Sequence, residues 1–124
     1  HSDADVLIHS ICDALLGASN LGDIGKHFPD TSDNYKGIDS KILLKEVMKL
    51  IREKGFELGN IDSTICLQKP KIGQFIPEMQ KVLASCMGVD TDLVSIKATT
   101  TEKLSFVGRE EGVSAYATVL IQKN

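Results

Sequence analysis

Residues 1–30 read HSDADVLIHSICDALLGASNLGDIGKHFPD and combine an apolar helical stripe with a polar loop. Five apolar residues recur at spacings of three, four, seven and eight, which is the pattern of one buried helix face. These residues are Ile8, Ile11, Cys12, Leu15 and Leu16. Ser2 followed by Asp5 resembles a capping box, and Gly17 suits the end of a helix. The stretch therefore predicts an amphipathic helix over residues 2–17, followed by a tight polar turn.

The polar face of this helix leaves two interpretations open. Asp5, His9 and Asp13 are four residues apart in sequence, so they line up on one side of the helix. Either they form a solvated stripe in which the carboxylates hold the imidazole, or His9 is a metal ligand. Zinc needs three or four ligands and this stretch offers one convincing candidate, so the helix alone does not decide.

Length and composition place the chain among ordinary globular proteins. It has 124 residues, 42% hydrophobic and 25% charged, which suits one domain. A net charge of −3 argues against a nucleic-acid partner, and no apolar run is long enough for a membrane span. Cys12, Cys66 and Cys86 are odd in number and scattered, so they are interpreted as reduced core thiols of an intracellular protein.

Downstream of the first helix, periodicity predicts two more long helices and three strands. The helices cover residues 40–54 and 76–87, and the strands cover residues 61–68, 94–98 and 113–121. A strand, a helix and two further strands imply that the sheet is mixed. The predicted fold class is therefore α+β, with a mixed β-sheet and helices packed on one face, in a single domain.

Three blocks of the sequence together resemble one enzyme family. They are HSDADVLIHSICDALLGA from His1, LGDIGKHFPDT from Leu21 and KATTTEKLSFVGREEG from Lys97. In this order they resemble the 2-C-methyl-D-erythritol 2,4-cyclodiphosphate synthases of the non-mevalonate route to isoprenoids. The resemblance implies an intramolecular phosphoryl transfer: the 2-phosphate of a cytidine diphosphate derivative attacks the β-phosphorus, and CMP leaves.

The same resemblance implies which residues contact the substrate. His1 and Thr100 are the predicted catalytic residues, because the family uses these positions to stabilise the transition state. Residues 67–73 match the family's cytosine pocket, which recognises the base largely through backbone groups. The full predicted substrate-binding set is His1, Ser2, Asp23, Ile24, Gly25, Phe28, Pro29, Asp30, Thr31, Ser32, Leu67, Gln68, Lys69, Pro70, Lys71, Ile72, Gly73, Thr99, Thr100, Thr101, Glu102, Phe106 and Arg109.

Two metal ions are also implied by the resemblance. His9 would be one ligand of Zn²⁺ or another divalent transition metal, and Glu102 would bind Mg²⁺ or Mn²⁺ bridging the α- and β-phosphates. The family's other two zinc ligands, an Asp-x-His pair, belong to an N-terminal leader strand region. We expect residues 1–124 to form a single cyclodiphosphate-synthase-like domain that lacks this region.

Assembly and location follow from the family in the same way. Its members are homotrimers in which the nucleotide loop and the metal-binding helix of one site come from neighbouring subunits. The expected location is the bacterial cytoplasm, with a plastid as the alternative. Glu110 stands where the family usually has glycine, close to the threefold axis, so anion binding in the axial cavity is in doubt.

Several simpler interpretations remain open beside the resemblance. Thr99 with Glu102 has the spacing of a capping box that begins a short helix, and residues 69–71 are also typical of an exposed turn. For the whole chain, the alternatives are a non-catalytic module that binds nucleotides or isoprenoid diphosphates, and an unrelated metal hydrolase of phosphoesters.

Overall fold

The computed structural model describes residues 2–29 and 39–124, and the side chains at positions 2 and 3 are outside that description. Three helices precede the first strand, and strands and helices alternate after it. The helices are α1 (Ser2–Ala18), α2 (Ile24–His27), α3 (Ser40–Glu53), α4 (Ile76–Met87) and α5 (Ser105–Gly108). The strands are β1 (Phe56–Cys66), β2 (Val94–Thr99) and β3 (Ser114–Lys123). The three long predicted helices are confirmed to within one residue at each end.

The strands form one mixed sheet in the order β2-β1-β3. β1 pairs in parallel with β2, where Ile61 faces Val94, and antiparallel with β3, where Ile61 faces Val119. Helix α4 lies in the crossover between the two parallel strands. The predicted α+β class with a mixed sheet is therefore confirmed.

Helix α1 packs on the inner face of this sheet and supplies much of the core. The predicted apolar stripe is buried along its whole length, and Ile11 and Leu15 have no exposed surface. Ile61 of β1 and Val94 of β2 belong to the same buried cluster, as do residues of α3 and α4. Burying one side chain of this size contributes about 1.5–3 kcal/mol. The helices therefore cover one face of the sheet, as predicted.

Strand β1 begins five residues earlier than the predicted start at residue 61. The register of β1 against β3 shifts between Leu58 and Asn60, so Gly59 is the extra residue of a β-bulge. A Cβ at Gly59 would lie 2.8 Å from the Leu120 carbonyl oxygen, and glycine avoids that clash. Because of the bulge, Leu58 and Ile61 are both buried although they are three residues apart. The break in period-two alternation explains why the sequence pattern missed this part of the strand.

The outer sheet face, which is opposite α1, carries Asp62, Lys97, Tyr116, Thr118 and Leu120. Tyr116 and Leu120 are 66% and 65% exposed, which is a high exposure for large apolar side chains. Beside them, Lys97 Nζ donates to Asp62 Oδ2 at 3.0 Å, and this bond lowers the pKa of Asp62. The outer sheet face is thus a mixed apolar and charged surface without a covering element among the described residues.

Arg52 ties three elements together at the end of α3. Its guanidinium donates from Nε and Nη2 to the two carboxylate oxygens of Glu57, both at 2.9 Å, and also to the Met87 carbonyl oxygen at 2.7 Å. The hydrogen bonds from Arg52 lower the pKa of Glu57 below its ordinary value of 4.5. This clamp fixes the start of β1 against the ends of α3 and α4.

The three thiols are free, as predicted, but only Cys12 is in the core. Burial raises the pKa of the Cys12 thiol from 9.0 to about 12, and the nearby charge of Asp13 adds to that shift. Cys66 and Cys86 are half-buried. Cys86 packs against the core cluster, whereas the predicted core placement of Cys66 is wrong.

Within the part of the chain that the structure describes, each helix is too short or too polar to span a bilayer.

Candidate functional site

A cavity of about 630 Å³ opens where the parallel strands β1 and β2 end. Both strands present their carboxyl ends to it, which is where ligands commonly bind beside parallel strands. Its lining includes Leu67, Gln68, Pro70, Lys71, Ile72, Gly73, Gln74, Ile76, Ala98, Thr99 and Thr100. Six of the seven residues predicted for the cytosine pocket therefore meet two of the predicted substrate-binding threonines, Thr99 and Thr100.

Two hydrogen bonds join the walls of this cavity beyond the end of the sheet. The Leu67 backbone N–H donates to the Thr99 carbonyl oxygen at 2.9 Å. One residue further on, the Gln68 side-chain oxygen Oε1 accepts from the Lys103 N–H at 3.0 Å. The Lys69–Pro70 peptide bond is cis, and a short 3-10 helix follows from Gly73 to Phe75. The loop of residues 67–73 and the segment after β2 are thus held side by side.

The segment after β2 is a tight turn of residues 100–105, which ends at the first residue of α5 and is called the phosphate turn for its predicted role. The Glu102 N–H donates to Thr100 Oγ1 at 3.2 Å, and Thr101 Oγ1 donates to the Leu104 carbonyl oxygen at 2.7 Å. Glu102 and Lys103 have φ values of 53° and 67°, in the left-handed region. The carboxylate of Glu102 is exposed at its tip.

The alternative interpretation of Thr99 and Glu102 as a capping box is wrong. Helix α5 begins at Ser105, three residues after Glu102, and Thr99 still belongs to β2. The left-handed backbone at Glu102 is incompatible with a right-handed helix at that position. The threonine that bonds to the Glu102 N–H is Thr100.

Helix α5 packs directly on the backbone of the phosphate turn. A Cβ at Gly108 would lie 2.1 Å from the Lys103 carbonyl carbon, so only glycine permits this approach. Phe106 remains partly exposed. Arg109 Nε donates to Glu111 Oε2 at 3.1 Å, so part of its guanidinium is already engaged. Neither of these two predicted substrate contacts lines the cavity.

The predicted loop at residues 23–29 lies elsewhere and is anchored by α1. Asp23 is the N-cap of α2, since its Oδ1 accepts from the Lys26 N–H at 3.0 Å. The Ile24 N–H donates to Asp13 Oδ1 at 2.9 Å. Asp23, Gly25 and Pro29 are exposed, whereas Phe28 is buried. The predicted turn is therefore one turn of helix, held by a carboxylate of α1.

His9 is exposed on α1, on the same side as Asp5 and Asp13. Asp13 bonds to α2, and Asp5 Oδ1 accepts from Ser40 Oγ at 2.5 Å. The carboxylates therefore connect α1 to its neighbouring elements, and no described contact joins them to the imidazole. Within residues 2–29 and 39–124, no group of three His, Cys, Asp or Glu side chains converges on a possible metal position.

Some predicted site residues lie outside the described residues. They are His1, Asp30, Thr31 and Ser32, together with the side chain of Ser2. The described site residues fall into two groups, because neither α1 nor the loop at residues 23–29 contributes to the lining of the cavity.

Comparison with known sequences assigns the chain to a family. The sequence model of the YgbB family matches residues 1–122. The chain belongs to the YgbB family. A protein of Bacteroides fragilis named 2-C-methyl-D-erythritol 2,4-cyclodiphosphate synthase is 67% identical over 123 residues, which are 99% of this chain and 77% of that protein. The resemblance carried by the three sequence blocks is therefore confirmed.

Solved structures of similar proteins share the fold of this YgbB chain. The bifunctional IspDF from Campylobacter jejuni has a TM-score of 0.93 at 44% identity, over 96% of this chain and 32% of that one. The CDP complex of IspF from Plasmodium falciparum has a TM-score of 0.84 at 30% identity, over 96% of this chain and 71% of that one.

Sequence reasoning missed three structural contributors to this YgbB site. Gln68 was predicted only as a substrate contact, Gly108 was not singled out, and Asp13 was weighed only as a partner of His9. The one local signal was the presence of glycine at position 108 inside a predicted substrate-contacting block. The other two roles depend on contacts between residues that are 35 and 11 positions apart.

Proposed function

We propose that this chain converts 4-diphosphocytidyl-2-C-methyl-D-erythritol 2-phosphate into 2-C-methyl-D-erythritol 2,4-cyclodiphosphate and CMP, as an enzyme of isoprenoid biosynthesis. The observation that carries the proposal is the 67% identity to a protein with that synthase name over nearly the whole chain. The named relative is bacterial, which supports a bacterial source. The reaction makes the chain a phosphorus–oxygen lyase.

The cavity at the ends of β1 and β2 is the proposed nucleotide site. Its volume of about 630 Å³ lies within the range of small-molecule pockets. The family resemblance assigns recognition of the cytosine edge to backbone groups of residues 67–73, six of which line the cavity. The solved complex of a relative with CDP supports this class of ligand.

The phosphate turn is the proposed site of the diphosphate. Thr100 Oγ1 already accepts the Glu102 N–H, so its own hydroxyl hydrogen is available to donate to a phosphate oxygen. Hydroxyl and backbone donors placed in advance stabilise the charge that develops in a phosphoryl-transfer transition state. Thr99 and Thr101 flank this donor, and Lys71 adds positive charge at the cavity rim.

Glu102 suits Mg²⁺ or Mn²⁺. These ions take one or two carboxylates and complete their shell with phosphate oxygens and water, so an exposed single carboxylate at the turn is sufficient. A bound ion would neutralise charge on the α- and β-phosphates. The described residues do not suffice for Zn²⁺ or another divalent transition metal, because His9 is one imidazole without converging ligands.

The nucleophile belongs to the substrate. An oxygen of the 2-phosphate forms a bond to the β-phosphorus, and the bond from that phosphorus to the oxygen bridging the α-phosphate breaks. CMP leaves with the bridging oxygen. The residues of the chain bind and orient the two phosphates, and this positioning is the main catalytic requirement of such a transfer.

A homotrimer is the proposed assembly. The outer sheet face leaves Tyr116 and Leu120 largely exposed, which supports its burial against other copies. The two groups of predicted site residues, around the cavity and around α2, are separate within one chain. A site shared between neighbouring subunits would bring them together.

The proposal is tested by phosphorus NMR of the protein with the diphosphocytidyl substrate, Zn²⁺ and Mg²⁺. We expect CMP and a cyclic diphosphate, and no inorganic phosphate. Glu102→Gln should lower turnover by about 10²–10³-fold, since it removes a charged group at the reacting phosphates. Glu53→Gln, at the exposed end of α3, is the matched control and should turn over normally.

Two other outcomes would replace the proposed function. Release of inorganic phosphate would indicate a phosphoester hydrolase. Unchanged substrate, together with saturable binding of CMP, would indicate a non-catalytic nucleotide-binding module.

A further inference from the structure

We propose that Gln68 is a positioning residue, which fixes the phosphate turn against the loop of residues 67–73, here called the nucleotide loop, through the backbone of Lys103. The expected effect of Gln68 on turnover rests on the proposed function. The positioning role differs from the predicted role of Gln68 as a substrate contact, because the side-chain oxygen is used inside the protein.

The contact lies at the point where the sheet stops joining the two walls of the cavity. The last backbone bond between them runs from the Leu67 N–H to the Thr99 carbonyl oxygen. Gln68 is the next residue, and its half-buried side chain extends the connection by bonding to Lys103, 35 positions away. Among the described hydrogen bonds, it is the link that reaches the phosphate turn from the nucleotide loop.

The phosphate turn needs such a link because its backbone is unfavourable by itself. Glu102, Lys103 and Ser105 all have positive φ, although none of them is glycine. Residues in this region persist only when their surroundings hold them there. The bonds that Thr100 Oγ1 accepts from the Glu102 N–H and that Thr101 Oγ1 donates to the Leu104 carbonyl oxygen act inside the turn, and they do not fix its place relative to the nucleotide loop.

Lys103 is held from two sides. Gln68 accepts its N–H, and the glycine backbone at Gly108 packs against its carbonyl group. Lys103 therefore positions Glu102, which precedes it, and also Thr100, which accepts the Glu102 N–H. Loss of the Gln68 bond should displace these two groups from the diphosphate more than it disturbs the base-binding loop.

The first measurement is amide hydrogen exchange, followed residue by residue in the ligand-free protein. In Gln68→Met, which keeps the length of the side chain but removes the acceptor, the Lys103 amide should exchange about fivefold faster or more. Gln68→Glu keeps an acceptor oxygen and should retain protection. Gln80→Met is the matched control, since Gln80 also makes one side chain to backbone bond, to the Val94 carbonyl oxygen. The amides of β1 report any global loss of stability.

The second measurement separates binding from turnover in the same variants. Gln68→Met should lower kcat by about tenfold to a hundredfold, as expected for misplaced catalytic groups, with a much smaller change in the affinity for CMP. Gln80→Met should change neither quantity.

The two proposals fail in different ways. If the wild-type chain does not form the cyclic product, the proposed function fails while the exchange result still decides whether Gln68 fixes the turn. If Lys103 exchange is the same in Gln68→Met and wild type, or if Gln68→Glu loses protection equally, the positioning role is overturned. A Gln68→Met variant that weakens CMP binding as much as kcat would identify Gln68 as a nucleotide contact instead.

Discussion

Around α1 the chain is stabilised by apolar contact, whereas in the phosphate turn it is held by individual hydrogen bonds. Ile11 and Leu15 are fully buried, and many neighbours share the energy of their burial. In contrast, four of the five described non-glycine residues with positive φ lie between positions 102 and 110. A core of this kind loses stability in proportion to the volume removed. A turn of this kind loses its geometry when one specific partner is removed.

The largest expected effect on stability comes from removing side-chain atoms in the core. Leu15→Ala should lower the free energy of unfolding by about 2–5 kcal/mol, since it leaves a cavity beneath the sheet. Urea unfolding measures this change, with Ile42→Ala at an exposed position of α3 as the control. The kcat of the folded fraction should stay near the wild-type value. If kcat falls strongly in a Leu15→Ala sample that is fully folded, α1 also sets the geometry of the site.

A smaller effect on stability is expected from adding a methyl group beside the phosphate turn. Gly108→Ala should destabilise the protein by about 1–3 kcal/mol, because its Cβ would overlap the Lys103 backbone, and it should also lower kcat strongly. The control is Gly17→Ala on α1, where a Cβ meets nothing within 4 Å. Gly17→Ala should stabilise the helix by about 0.5–1 kcal/mol. Thermal unfolding and steady-state turnover are measured for both variants. Equal kcat values for Gly108→Ala and Gly17→Ala would contradict the prediction.

The Arg52–Glu57 clamp should give a smaller and pH-dependent effect. The pKa of Glu57 is lowered in the folded protein by its hydrogen bonds to Arg52. The stabilisation that Glu57 gives the folded state is therefore complete above the ordinary pKa of 4.5, and it is lost as the pH falls through the lowered folded pKa. Both side chains are about one third exposed, so Glu57→Gln should cost less than about 1 kcal/mol at pH 7. Urea unfolding should show this difference shrinking at pH 3. Glu46→Gln, at an exposed position of α3, should show no such pH dependence.

The Asp62–Lys97 pair should have the smallest effect in a single chain. Both side chains are more than half exposed, so Asp62→Asn should leave the unfolding of dilute monomer unchanged. If the outer sheet face forms the proposed trimer interface, assembly would remove water from the pair and strengthen its coupling. A double-mutant cycle with Lys97→Met, measured at low and high protein concentration, tests this expectation. Equal coupling under both conditions would argue against burial of the pair.

Much of the fold could be predicted because its signals are periodic. The stripe from Ile8 to Leu16 and the alternation after Ile61 each follow from one repeat length. The start of β1 could not be found in this way, since the bulge at Gly59 changes the phase of the strand. The half-exposure of Cys66 depends on which side of the sheet remains uncovered, which no local pattern reports.

The site was predicted from similarity to a family, and its internal geometry was not. All of residues 67–73 except Lys69 line one cavity together with Thr99 and Thr100. The left-handed conformation of Glu102 was missed, because glutamate seldom adopts it. The alternative interpretation of Thr99 and Glu102 as a capping box fails for the same reason.

Leu67 and Thr99 leave the sheet side by side, at the ends of two strands that share a parallel ladder. The two cavity walls therefore begin one strand spacing apart, about 4.8 Å. That spacing is a property of the sheet backbone and is independent of the side chains in the loop. Substitutions in residues 68–73 should change the chemistry of the walls while the separation at their base stays constant.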